Sequence, residues 1–216
     1  MEGEHHSGAL LDAGAPGEWD ADGVAAPHVV LGGPKGDFRL FYTGRGSDGR
    51  TAIGLARSAD GFAWKRAGVV LAAGEPGAFD EHSVGAPCVV RVGQSEWLMF
   101  YEGRSADGRR AIGQATSDDG LRWRRLSGGG TPLLEGGALG AWDAGGVGCP
   151  FAVGMAGGRW RLYYEGYGSL GTSSCGVGLA LSDGASTARF SRRRGGTASS
   201  PDGVEDDEKA ERQTPQ

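Results

Sequence analysis

The chain repeats itself, and the repeat leaves few folds open. Three aromatic-Asp pairs, Trp19-Asp20, Phe79-Asp80 and Trp142-Asp143, stand sixty and sixty-three residues apart. Each is followed in the same register by a valine (Val24, Val84, Val147), a proline (Pro27, Pro87, Pro150) and a Tyr-x-Gly (Tyr42 to Gly44, Tyr101 to Gly103, Tyr164 to Gly166). Next come Ile53-Gly54-Leu55-Ala56, Ile112-Gly113-Gln114-Ala115 and Val177-Gly178-Leu179-Ala180. Two copies continue into Ser58-Ala59-Asp60-Gly61 before Trp64 and Ser117-Asp118-Asp119-Gly120 before Trp123, whereas the third decays after Ser182-Asp183-Gly184. A fixed period of this length marks a stack of supersecondary units, none of which buries its apolar surface alone.

Composition decides what the unit is made of. Glycine fills 43 of 216 positions, about three times its ordinary share, and each glycine inside a helix costs about 1 kcal/mol. Helical repeats are thereby excluded. Each unit reads instead as four short strands. The first runs through the Val-x-x-Pro segment, the second through residues 38–43, 97–102 or 160–165, the third from Ile53 or its twins, and the fourth is centred on Trp64 or Trp123. Strand alternation puts Trp97, Met99 and Tyr101 on one side and Leu98 and Phe100 on the other, so the sheet is apolar on both faces and lies between two neighbours. Asp48-Gly49 and Asp107-Gly108 supply the hairpin turns. The expected fold class is an all-β propeller of four-stranded antiparallel blades, with blades at 19–78, 79–141 and 142–190. Residues 1–18 align with the end of a preceding blade, with an orphan strand at 9–12. Residues 191–216 are polar and expected to be disordered.

The remaining composition narrows the partners. A net charge of -5 without a basic face excludes nucleic acid, and no apolar run approaches the roughly 18 residues of a membrane span. Cys88, Cys149 and Cys175 are odd in number and lack a CxxC spacing. They are read as small buried apolar residues, not as a disulfide framework or zinc site. Asp20-Ala21-Asp22-Gly23 is similar to the opening of a calcium loop but has no distal Glu. No metal or cofactor is expected.

Taken together, Gly-x-Trp-Asp, Val-x-x-Pro, aromatic-Tyr-x-Gly, Ile-Gly-x-Ala and Ser-x-Asp-Gly-x-x-Trp resemble the arabinanase/levansucrase/invertase superfamily of five-bladed propellers. That superfamily includes glycoside hydrolase families 43 and 32, and the resemblance covers residues 9–190. It implies a carbohydrate ligand, a ring of five blades of which about three are present, and hydrolysis by carboxylates at the mouth of the central tunnel. Open blade faces would then make the chain self-associate. In the family an Asp stands directly before the proline of an inner strand and a Glu close before that of another. Here those positions hold Ala26, Ala86 and Cys149, so the family's catalytic set maps onto no residue of this chain. The chain as given is therefore expected to bind glycans weakly without appreciable turnover. The alternative is a non-catalytic sugar-binding or scaffold propeller.

Candidate site residues come from the places where the copies disagree. A group present in every blade serves the scaffold, as expected for Asp20, Asp80 and Asp143, which are read as accepting backbone N–H bonds at the entry to the inner strand. Glu102 and Glu165 stand where the first copy has Thr43, and they are the candidate catalytic acids. Asp22 stands against His82 and Gly145, Glu81 against Ala21 and Ala144, and His28 against Cys88 and Phe151. Asp22, His28, Glu81 and His82 are the candidate substrate-binding set, joined by Tyr167, which replaces Arg45 and Arg104.

Overall fold

The computed structural model describes residues 8–32, 36–126, 130–168, 174–184 and 187–193. Each repeat folds into one antiparallel meander. The first comprises β1 (Gly23–Leu31), β2 (Phe38–Arg45), β3 (Thr51–Ser58) and β4 (Lys65–Leu71). The second comprises β5 (Ser83–Arg91), β6 (Trp97–Arg104), β7 (Arg110–Ser117) and β8 (Arg124–Arg125). The third comprises β9 (Gly146–Gly154), β10 (Trp160–Tyr167), β11 (Ser174–Ser182) and β12 (Phe190–Arg192). Strands pair in chain order within each blade, and one parallel bridge, Arg110 to Gly146, ties the second blade to the third. Among the described residues there is no α-helix, only a short 3-10 turn at Ala156–Gly158.

The two apolar faces of β6 do what their alternation requires. Trp97, Met99 and Tyr101 pack on Phe41, Ile53 and Leu55 of the first blade. Leu98 and Phe100 pack on Trp160, Leu162 and Phe190 of the third. Gly103 shows why glycine recurs: a Cβ there would lie 2.4 Å from the Phe79 ring, closer than any side chain can come.

Each blade is locked by a buried polar triad. Asp20, Asp80 and Asp143 are almost fully buried. Each accepts the phenol of the blade's own tyrosine, Tyr42 at 3.0 Å, Tyr101 at 2.9 Å and Tyr164 at 3.2 Å. Each also accepts the Nε–H of an arginine on the fourth strand, Arg66 at 3.2 Å, Arg125 at 2.8 Å and Arg192 at 2.9 Å. The aspartates thus serve the scaffold through side-chain donors, where the sequence had pointed to backbone N–H groups.

Several boundaries move. Trp64 and Trp123 precede the fourth strands instead of centring them, and β4 runs on to Leu71. The third blade closes with β12, so Ser191 and Arg192 lie in a strand beyond residue 190. Residues 9–12 form no strand; Leu11 packs against Leu40 and Tyr42, and Arg66 donates to the Asp12 carbonyl. Cys88 is buried as expected, but Cys149 is exposed, because it sits on the kink described next. The expected disorder of the tail from 194 onward, like the Cys175 side chain, lies outside the described residues.

Candidate functional site

The inner strand of every blade is kinked at the same place. Ala26, Ala86 and Cys149, the residues before the prolines, have φ of 48°, 45° and 46°. This left-handed conformation costs an L-residue roughly 1–2 kcal/mol. The ladder loses its register across each kink, and the unpaired backbone N–H needs another acceptor. A side chain from the second strand of the preceding blade provides it. Thr43 Oγ1 accepts the Ala86 N–H at 2.8 Å, and Glu102 Oε2 accepts the Cys149 N–H at 3.3 Å. Glu102 therefore occupies the position of an interblade clasp that a neutral hydroxyl fills one blade earlier. Gly148 makes room for it, since a Cβ there would stand 2.0 Å from Glu102 Oε2.

Around Glu102 the second and third blades gather a set of titratable groups. Arg110 Nη1 lies 3.5 Å from Glu102 Oε1, and its guanidinium sits 4.4 Å over the Tyr167 ring. Tyr167 donates its phenol to Glu165 Oε2 at 3.1 Å. The Cys149 thiol lies 3.9 Å from Glu102 Oε2. Burial pushes the Glu102 carboxyl above its ordinary value; Arg110, the Cys149 N–H and Arg104 oppose the rise, while Glu165 adds to it. The Cys149 thiol is pushed up to about 11 by burial and by both glutamates, so it is a protonated donor at neutral pH. Burial, then the Glu102 charge, raises the Tyr167 phenol as well.

On the side toward the first blade, Glu102, Arg104, Arg110 and Cys149 line a cavity of about 300 Å³ with Thr43, Thr51, Ser83 and the kinked Ala26 and Ala86. Arg104 Nε is buried there without a hydrogen-bond partner among the described residues. The arrangement can hold a proton on a carboxyl, present hydroxyl and guanidinium donors to a polyhydroxylated ligand, and place a second carboxylate nearby. Among the described residues no group of three His, Cys, Asp or Glu side chains is placed to hold a metal ion.

Of the sequence-derived candidates, Glu102, Glu165 and Tyr167 meet in this cluster. Tyr167 is buried, with Arg110 over one face of its ring. The others lie apart. Glu81 ties its own loop to the β6–β7 turn, accepting the Gly77 and Ala106 N–H groups at 2.7 and 3.2 Å, which hold its carboxyl below the ordinary value. Asp22 and His82 extend their inner strands through backbone bonds to Arg45 and Arg104. His28 reaches across a blade interface, its Nε2 2.9 Å from the Val89 carbonyl. Sequence reasoning missed Arg110 and Arg104. Arg110 carries the same signal that pointed to Glu102, since it stands where the first copy has Thr51.

The architecture is the propeller fold of glycoside hydrolases. Similar solved structures include Zg3597, a family 117 glycoside hydrolase of the marine bacterium Zobellia galactanivorans, at 22% identity with a TM-score of 0.62, covering 85% of this chain and 59% of that one. A glycosyl hydrolase from Bacteroides ovatus aligns at 19% identity and a TM-score of 0.63, covering 85% of this chain and 55% of that one. So does a structure from the family 130 mannoside phosphorylases, a family described as containing glycoside hydrolases that target β-1,2 mannosidic linkages in Candida mannan, at 19% identity, a TM-score of 0.63 and the same coverages. At these identities the likeness is one of fold. The chain spans less than two thirds of the length of each of these structures. No protein-family model and no curated protein matches the sequence.

Proposed function

We propose that this is a carbohydrate-active, glycoside hydrolase-like propeller domain of the five-bladed arabinanase/levansucrase/invertase kind, taking a poly- or oligosaccharide at the cavity beside the proline kinks. Glu102 is the proton donor and Glu165 the companion carboxylate. The observation that carries this reading is the desolvated Glu102 carboxyl with a second glutamate in its field. Cleavage of a glycosidic bond needs one carboxyl still protonated near neutrality and another ionised. In such a step the Glu102 proton passes to the leaving glycosidic oxygen as the C–O bond breaks, and Glu165 supports attack at the anomeric carbon by water or by its own oxygen.

The test is turnover and binding on arabinan, xylan and fructan, with Glu102→Gln and Glu165→Gln alongside. Loss of turnover in both variants, with binding retained, supports the catalytic reading. Binding without turnover in the parent chain favours the sugar-binding alternative, which Thr43 supports by filling the clasp without an acid. Neither turnover nor binding on any glycan removes both.

A further inference from the structure

The three blades offer the same positions for comparison, and these positions differ in what covers them. On the leading face of the second blade, Cys88, Phe100 and Ile112 are 2%, 0% and 0% exposed, because the third blade lies on them. Their counterparts on the third blade, Phe151, Tyr163 and Val177, are 56%, 36% and 76% exposed. The trailing face shows the reverse along the inner strand, while on the first blade Leu40 and Tyr42 behind it are covered by Leu11, Trp19 and Trp64. Val89 and Ala152 are 2% and 7% exposed under the preceding blade, but their counterpart Val29 on the first blade is 50% exposed, with Leu31 beside it at 58%.

The polar contacts between blades follow the same rule. Position 28 or 88 reaches across to the inner strand of the next blade, His28 to the Val89 carbonyl and Cys88 Sγ to the Ala152 N–H at 3.3 Å. Position 43 or 102 clasps the next kink at Ala86 or Cys149. On the third blade the corresponding groups are Phe151 and Glu165. The kink not clasped by a preceding blade among the described residues is the exposed Ala26 of the first.

We propose that the leading face of the third blade is a docking surface for the trailing face of the first blade of a second copy of this chain. Phe151, Tyr163 and Val177 then pack on Val29 and Leu31, and Glu165 accepts the Ala26 N–H. The occupant follows from the two interfaces inside the chain, which join one leading face to one trailing face both times. Contiguous apolar surface of this kind is covered in soluble proteins, and a leading-to-trailing contact is heterologous, so each copy uses both faces. The packing of Phe151, Tyr163 and Val177 on Val29 and Leu31 does not depend on the catalytic role proposed for Glu165.

Sedimentation velocity and light scattering on the 216-residue chain, with Val177→Glu and Val29→Glu, test it. Both sites are exposed, and circular dichroism melts identify any variant that fails to fold; Phe151→Glu and Leu31→Glu then stand in. The parent mass is expected to rise with concentration, and each variant alone to stay monomeric. An equimolar mixture of the two variants, which together retain one intact leading and one intact trailing face, is expected to form dimers and nothing larger. A monomeric parent overturns the proposal, as does association that survives both substitutions. So does a mixture that stays monomeric, or a Val29→Glu variant that dimerises on its own, the result expected for a leading-to-leading contact.

Discussion

Asp80 and Asp107 are both acidic residues paired with arginine, and their surroundings set very different consequences. Asp80 is buried, receiving the Tyr101 phenol and Arg125 Nε. Removing it leaves a partly buried guanidinium and a phenol without their acceptor, and breaking such a pair costs roughly 3–5 kcal/mol. Asp107 pairs with Arg109 where both side chains are mostly exposed, and water screens a surface pair of this kind. Urea denaturation should therefore show a large fall in midpoint for Asp80→Ala and almost none for Asp107→Ala. At Glu102 the variable is pH. Its folded-state carboxyl is raised by burial, so the folded protein holds this proton more tightly than the unfolded chain does. Stability from this group is fully present below the ordinary Glu value and is lost as pH rises through the folded value. Glu102→Gln removes the ionisation and keeps a carbonyl acceptor for the Cys149 N–H. Its Tm relative to the parent should rise as pH climbs above the ordinary Glu value, by about 2–4 °C per kcal/mol. A parallel profile for the two proteins would place the proton elsewhere.

At the scale of the strand, the kinks and glycines record what the repeat is for. Ala86 holds a left-handed backbone at φ 45°, which costs alanine about 1–2 kcal/mol, against the roughly 0.5–1 kcal/mol that glycine loses in chain entropy. Ala86→Gly should therefore stabilise by about 0.5–1 kcal/mol. Gly103→Ala should destabilise by about 1–3 kcal/mol as the Phe79 ring is displaced. Chemical denaturation of the pair checks both signs. These elements were legible because Val, Pro, Tyr and Gly recur at positions the strand period and tight packing demand. The left-handed kink was not, because alanine before proline carries no local signal for positive φ; Ala26 adopts it as fully as the clasped Ala86 does. Arg192 was hidden for a related reason. The sequence around Phe190 has lost the Trp-led signature of the earlier copies, and only the buried Asp143 requires an arginine there. At the site, Glu102 and Glu165 were visible as departures from Thr43. The ion pair with Arg110 was within reach of the same comparison, since the Asp107-Gly108 turn already sets β7 beside β6.

The whole molecule behaves as a short linear array. Its stability is approximately a sum of blade terms and nearest-neighbour interface terms, and these are unequally shared. The second blade is packed on both faces, against Phe41 and Ile53 on one side and Trp160 and Leu162 on the other. The third has Phe151 and Val177 open to solvent and ends on a three-residue strand. Local opening follows the number of packed faces, so the amides of β6 and β7 should exchange slowest and those of β10 and β11 markedly faster, with β2 and β3 between them. The first blade takes the middle place because Leu11, Trp19 and Trp64 pack against Leu40 and Tyr42, a cover with no counterpart on the open face of the third. Hydrogen-exchange mass spectrometry at low protein concentration reads this order directly. Addition of a second copy through the leading face should then slow exchange in β9 to β11 as concentration rises while leaving β6 unchanged. Equal protection in all three blades at every concentration would mean that the blades unfold as one cooperative unit, and the array description would fail.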